Sequence, residues 1–229
     1  GPGLIDILTH VYWGATGLGV NAEDIAGRSA TTTFIDAGSA GAGNFGGLKH
    51  FIADKTDLRI LGFINISFAG ICGFSKKKAN LFPECEDIRL LDTDECLEAI
   101  EKYRDSIVGI KVRIGRYASG SAGMTPLQIA REVGEETGLP LMTHLDFPPP
   151  DRDEVLNYLR PGDVLTHCFR PFPNAPLYGN GSIREAVTQA RERGIIFDLG
   201  HGGGSLSFQV SRKMLEQDFL PDTISSDVH

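Results

Sequence analysis

Long apolar stretches are missing from this 229-residue chain, and it holds one tryptophan, three methionines and four cysteines. No apolar run reaches 18 residues, so no membrane-spanning helix is expected. Cys72, Cys85, Cys96 and Cys168 form no C-x-x-C pair, which leaves no cysteine-paired zinc or dithiol motif. Scattered thiols in a chain of this length point to a reduced, cytoplasmic setting. Positive charge is short as well: 22 Lys and Arg stand against 30 Asp and Glu, giving −8. A polyanion is repelled on average, so nucleic acid is not an expected ligand. The one basic run, Lys76-Lys77-Lys78, reads as a solvated loop. Gly1-Pro2-Gly3 leads straight into a strand, and no leader peptide is expected.

What is present is ordinary for a globular protein: 41% apolar and 23% charged residues. That balance excludes disorder and fibrous architectures, and the length suits a single domain over residues 1–229. Short apolar, β-branched runs read as buried strands at 4–11, 31–37, 58–67, 107–114, 140–145, 163–169, 195–200 and 223–229. Amphipathic stretches between them read as helices at 93–103, 126–137, 151–159, 182–193 and 207–218. Pro126 suits a first helical turn with Thr125 as its cap, and Gly138 and Gly194 suit left-handed helix ends. Eight strands alternating with helices predict an α/β fold with parallel pairing, most simply a closed (β/α)₈ barrel. An open doubly wound sheet is the alternative, weakened because no glycine-rich phosphate loop follows the first strand. The text begins just before the first strand and stops just after the eighth, which suggests a fragment of a longer protein. The longest connection, 69–92, reads as an insertion.

Polar residues cluster at the ends of the apolar runs. His10 closes the first, Asp36 the second, and Asn65 and Ser67 the third. Lys111, His144 and His167 fall within the fourth, fifth and sixth. Asp198 and His201 follow the seventh, and Asp227 ends the eighth. Each alone also reads as structural: a hydrogen-bonded core histidine, a buried Lys–Asp pair, an Asp cap. In a barrel, however, the carboxyl ends of all strands meet at one rim, where sites are built. His10, Lys111, His144, His167 and Asp227 then converge as a metal-binding set.

With these residues the chain resembles the amidohydrolase superfamily, metal-dependent hydrolases on a distorted (β/α)₈ barrel. Pro2-Gly3-Leu4-Ile5-Asp6 looks like the family's entry into its first strand. Lys111, His144, His167 and Asp227 match its lysine, two histidines and aspartate in order. Gly115-Arg116, Asp146-Phe147-Pro148-Pro149, Asp198-Leu199-Gly200-His201-Gly202 and Pro221-Asp222-Thr223-Ile224-Ser225 look like the dihydroorotase-related subgroup, which includes deacetylases of small acylated acids. The resemblance implies a carboxylated Lys111 bridging two divalent cations, most often zinc. It places His144 and His167 on the more exposed cation, and His10 and Asp227 on the buried one. Asp227 takes a proton from the attacking water and passes it to the leaving group. His201, Gly202 and Arg113, with the loop carrying Arg170, are candidate substrate contacts. The resemblance also implies an accessory β-sandwich and a last barrel helix, both missing from this text.

One residue departs from the pattern. The family opens on His-x-His, and this chain reads Leu8-Thr9-His10. Leu8 and His10 are two apart on a strand and face the same side, so Leu8 points where an imidazole belongs. A weakened or empty buried metal position is expected. The expected function is metal-dependent hydrolysis of an amide or ester of a small carboxylated molecule. A cyclic-amide hydrolase of the dihydroorotase or hydantoinase kind is the near alternative, and a catalytically impaired barrel the distant one. The partner is a small-molecule substrate, with no membrane or nucleic acid. The oligomeric state stays open, a homo-oligomer included.

Overall fold

The computed structural model describes residues 2–75 and 81–229. The run Lys76-Lys77-Lys78 lies outside the described residues. Among the described residues seven strands lie side by side in chain order: β1 (Leu4–Thr9), β2 (Thr31–Gly41), β3 (Arg59–Asn65), β4 (Ile107–Ile114), β5 (Leu141–Leu145), β6 (Val164–Leu165) and β7 (Ile196–Phe197). Every neighbouring pair is parallel. The described residues also form seven α-helices, one after each strand: α1 (Ala22–Ser29), α2 (Phe45–Phe51), α3 (Thr93–Lys102), α4 (Thr125–Thr137), α5 (Arg152–Tyr158), α6 (Glu185–Glu192) and α7 (Phe208–Leu215).

The sheet curls until its ends meet. The eighth run forms no regular strand; instead it bridges both edges, pairing Thr223 with Asp198 and Val228 with Thr9. Backbone bonds from Asp227 to Leu8 and from His201 to Ser225 seal the same seam. An open doubly wound sheet is thereby excluded, and the fold is a distorted (β/α) barrel.

Two side-chain layers follow from strand alternation. On β4, Ile110, Val112 and Ile114 face outward into the large core between sheet and helices, while Lys111 and Arg113 face the barrel mouth. Inside the barrel, Leu8, Ala37, Phe63, Met142 and Val164 form a second apolar cluster. It plugs the cylinder beneath the mouth, so the mouth is a cup and not a channel.

Several boundaries differ from expectation, each for a local reason. The sixth run stops at Leu165, two residues before His167, and the eighth forms only isolated bridges; His167 and Asp227 both adopt left-handed backbone, with φ of 57° and 51°. For a non-glycine residue this costs about 1–2 kcal/mol, and it turns the chain out of the strand direction. Helix α4 starts at Thr125 itself, so Met124 occupies the capping position and Thr125 caps nothing. Helices α1 and α2 escaped the periodicity because they are short and carry Gly27, Gly46 and Gly47, residues that weaken a helical signal. Gly138 has φ 72°, the left-handed end expected of it. All four cysteines are free thiols. Among the described residues no helix is long and apolar enough to cross a membrane.

Candidate active site

The carboxyl ends of the strands enclose a cavity of about 260 Å³. His10, Lys111, Arg113, His144, His167 and Asp227 all line it. His10, Lys111, His144, His167 and Asp227, from distant parts of the chain, are thus gathered at one mouth.

Lys111 lies across β2. Its aliphatic stem runs against Gly38, where a Cβ atom would fall 2.5 Å from Lys111 Cγ. Desolvation at this depth, partly opposed by Asp227, lowers the amine's pKa to about 8, so an appreciable share of it is neutral near physiological pH. His144 and His167 stand edge to face, ring centroids 4.6 Å apart. Burial holds the His144 imidazole well below its usual range, and burial brings His167 to about 4. Both are neutral at pH 7 and carry a lone pair.

Hydrogen bonds fix which nitrogen carries it. His167 Nδ1 lies 2.8 Å from the Gly200 carbonyl oxygen. A carbonyl only accepts, so Nδ1 carries the proton and Nε2 the lone pair. That Nε2 faces Asp227 Oδ2 at 4.0 Å. His10 Nε2 lies 3.3 Å from Asp227 Oδ1, and its Nδ1 lies 2.9 Å from Ser39 Oγ. Burial pushes the Asp227 carboxyl up, but the His10 hydrogen bond and the His167 imidazole outweigh this and hold it low, so it is ionised.

A lone pair on His167 facing a carboxylate is an arrangement that a cation relieves. Among the described residues, however, no group of three or more His, Cys, Asp or Glu side chains is placed to hold a metal. A protonated or neutral lysine amine adds no oxygen ligand. Leu8 sits one layer below His10, fully buried among Ala37, Phe63, Met142 and Val164, and it offers no donor. The donor set therefore fits a cation at the Lys111 side of the cup better than one near Leu8.

Two of the expected substrate contacts lie outside the cavity lining. His201 does not line the cavity, and its side chain is exposed. Its backbone N–H is tied to Ser225, and left-handed Gly200 and Gly202 on either side turn the loop. Gly202 does not line the cavity either; it backs Asp227, and a Cβ there would fall 2.3 Å from Oδ2. Gly204 and Ser205 reach the cavity instead. Arg113 does line it, in a buried ion pair with Glu84 at 3.3 Å, and Arg170 lines it while donating to the Leu145 carbonyl.

Other lining residues went unassigned in the sequence. His229 is one, its Nδ1 2.7 Å from the Asp227 carbonyl oxygen. It lies two residues beyond Asp227, past that residue's left-handed turn. Phe74, Tyr117 and Phe147 add an aromatic rim, with Tyr117 and Phe147 edge to face at 5.4 Å. They stand on loops, where no periodicity marks them.

No family model matches the chain. A deacetylase of Brucella anthropi is 35% identical over 228 residues, all of this chain and 56% of that protein. A solved dihydroorotase superposes with a TM-score of 0.89 at 36% identity, over the whole chain and 58% of its own. The chain belongs to the amidohydrolase superfamily. Another superfamily structure, an adenine deaminase, matches with a TM-score of 0.92 at 32% identity, over the whole chain and 60% of its own. This amidohydrolase-superfamily chain therefore spans a little over half the length of the relatives it matches.

Proposed function

We propose that the chain is the barrel of a metal-dependent hydrolase that cleaves an amide or ester bond, as in deacylation, of a small carboxylated molecule. The observation that carries this reading is the gathering of Lys111, His144, His167 and Asp227 around one cup, with both imidazoles neutral. Lys111 supplies oxygen ligands once its neutral amine has added carbon dioxide, and the lowered pKa favours the reactive form. Lys111 as its carbamate, with His144 and His167, would hold a divalent ion, zinc being the first candidate. Such an ion supplies a water acidified towards neutrality and a Lewis acid for the acyl carbonyl.

The remaining work falls to the protein's own groups. Asp227 is ionised and faces the cup, so it accepts a proton at a carboxylate oxygen and returns it to the leaving group. His167 holds its place through the Gly200 carbonyl. Arg113 and Arg170 line the cavity and are the candidate donors for a substrate carboxylate. The deacetylase relative favours acyl removal over ring opening, and the dihydroorotase neighbour keeps the cyclic amide as the second reading. The position near Leu8 lacks a donor, so one cation per chain is proposed in place of two.

The test is metal analysis together with a screen of N-acyl and O-acyl carboxylic acids, with and without added zinc. Zinc-dependent release of the acyl group, lost in D227N, is the expected result. Turnover indifferent to metal or to Asp227 overturns the proposal.

A further inference from the structure

Asn174 is a buried amide with no part in the proposed reaction, and it stands where two mouth loops meet. The loop after β5 contains Pro148-Pro149-Pro150. Proline has no backbone N–H, so the carbonyl groups around this run need donors from elsewhere. Asn174, on the loop after β6, supplies them. Its Nδ2 donates to the Asp146 carbonyl oxygen at 2.8 Å and to that of Pro150 at 3.3 Å. Carbonyl oxygens only accept, so the nitrogen end of the amide must face them. The Asn174 backbone carbonyl in turn accepts from Nε of fully buried Arg152 at 2.9 Å, at the start of α5.

The loops joined in this way carry groups of the cavity wall. Arg170, four residues before Asn174, lines the cavity and donates to the Leu145 carbonyl at the end of β5. Asp146 and Phe147 line it from the β5 loop. The Asp146 carboxylate reaches a third loop, after β4, where it accepts the Tyr117 N–H at 3.2 Å as well as the Phe147 N–H. Gly115 leaves room for that carboxylate, since a Cβ there would fall 2.1 Å from Oδ1. Arg170, Phe147 and Tyr117 therefore belong to one continuous wall, and Asn174 is the knot between its β5 and β6 sections.

We propose that Asn174 is a positioning residue for substrate selection: by locking the β5 and β6 loops together it holds Arg170 where a substrate carboxylate meets the guanidinium. A guanidinium ordered beforehand loses less freedom when the anion binds, and its planar fork rewards exact placement. The selection rests on the proposed hydrolysis of a carboxylated molecule; the knot between the loops does not.

The test has two readouts on the full chain. The first is zinc-supplemented acyl release from an N-acyl amino acid and from the matching N-acyl amino alcohol, in which CH₂OH replaces the carboxylate. The parent chain should prefer the acid. R170A should lower the acid-to-alcohol ratio of kcat/KM by about 10–100-fold, the worth of one hydrogen bond to a charged group. N174A should lower the same ratio, mainly through KM for the acid. N174D, which keeps the shape and loses the N–H donors, should do likewise. On an R170A background N174A should change the ratio no further. An N174A loss equal for acid and alcohol, or equal with and without Arg170, means a merely structural role and overturns the proposal. The second readout is amide exchange of the metal-free chain. In N174A, exchange at Tyr117, Phe147 and Arg170 should quicken together while the β4 amides stay protected, which also shows that the variant is folded. N174S, which keeps one donor, takes its place if N174A does not fold. Unchanged exchange at those three amides overturns the knot. A parent chain that releases acyl groups from neither compound defeats the proposed function, and exchange then decides alone whether Asn174 joins the loops.

Discussion

Gly38 and the Lys111 side chain occupy touching space at the mouth of the barrel: a methyl group at 38 would fall 2.5 Å from Cγ and 2.6 Å from Cβ of Lys111. The backbone at 38 is also left-handed. Replacing Gly38 by Ala therefore incurs about 1–2 kcal/mol of backbone strain and a further 1–3 kcal/mol, roughly, of overpacking. A clear fall in the melting temperature is expected, with any zinc-dependent activity lost because Lys111 is displaced. A G38A chain with parental stability would show that the lysine stem lies elsewhere.

Leu8 sets a second expectation. Leu8→His places an imidazole among Ala37, Phe63, Met142 and Val164. Without metal, burying that polar ring costs on the order of 2 kcal/mol. Zinc should reverse the cost, so L8H should melt lower than the parent without metal and gain more from zinc than the parent does. Equal zinc responses in the two chains would mean that position 8 does not face a cation.

The pH dependence has a worked sign. His167 is held at about 4 in the fold, against 6.5 for a free imidazole, chiefly by burial. A depressed value means stability present above 6.5 and lost as pH falls through about 4. The shift corresponds to about 3 kcal/mol. Urea midpoints should drop between pH 7 and pH 4.5, and H167Q should show a flatter decline. Asp36 and Asp198 act in the opposite sense, since burial raises both. A parental slope in H167Q would assign the acid sensitivity to other groups.

Thr143 offers a gain in stability. It is fully buried on β5, and among the described residues its Oγ1 has no hydrogen-bond partner. Thr143→Val keeps the shape and removes an unsatisfied polar atom, which should stabilise by about 1 kcal/mol. Thermal or urea unfolding checks it, and a destabilised T143V would reveal a partner for the hydroxyl.

Much of this was legible in the text because strands and sites obey different rules. Ile110, Val112 and Ile114 had to be apolar to face the helices, so Lys111 stood out in a run where burying an ammonium is costly. The same contrast marked His144 and His167. What alternation cannot show is where an extended run stops. The sixth run ended at Leu165 and the eighth formed only isolated bridges, outcomes set by pairing across the seam. His201 stands between glycines that resemble a ligand-binding loop, and its side chain faces solvent outside the cavity lining. Phe74, Tyr117 and Phe147 arrive on loops whose course depends on long-range packing.

The stretch Thr223–Val228 both joins β7 to β1 and carries Asp227, while Thr223 and Ser225 donate to buried Asp198 beside Thr166. Fraying there would unlatch the cylinder and withdraw its ionised carboxylate in one motion. Amide exchange along that stretch and loss of turnover on warming should consequently share a single onset.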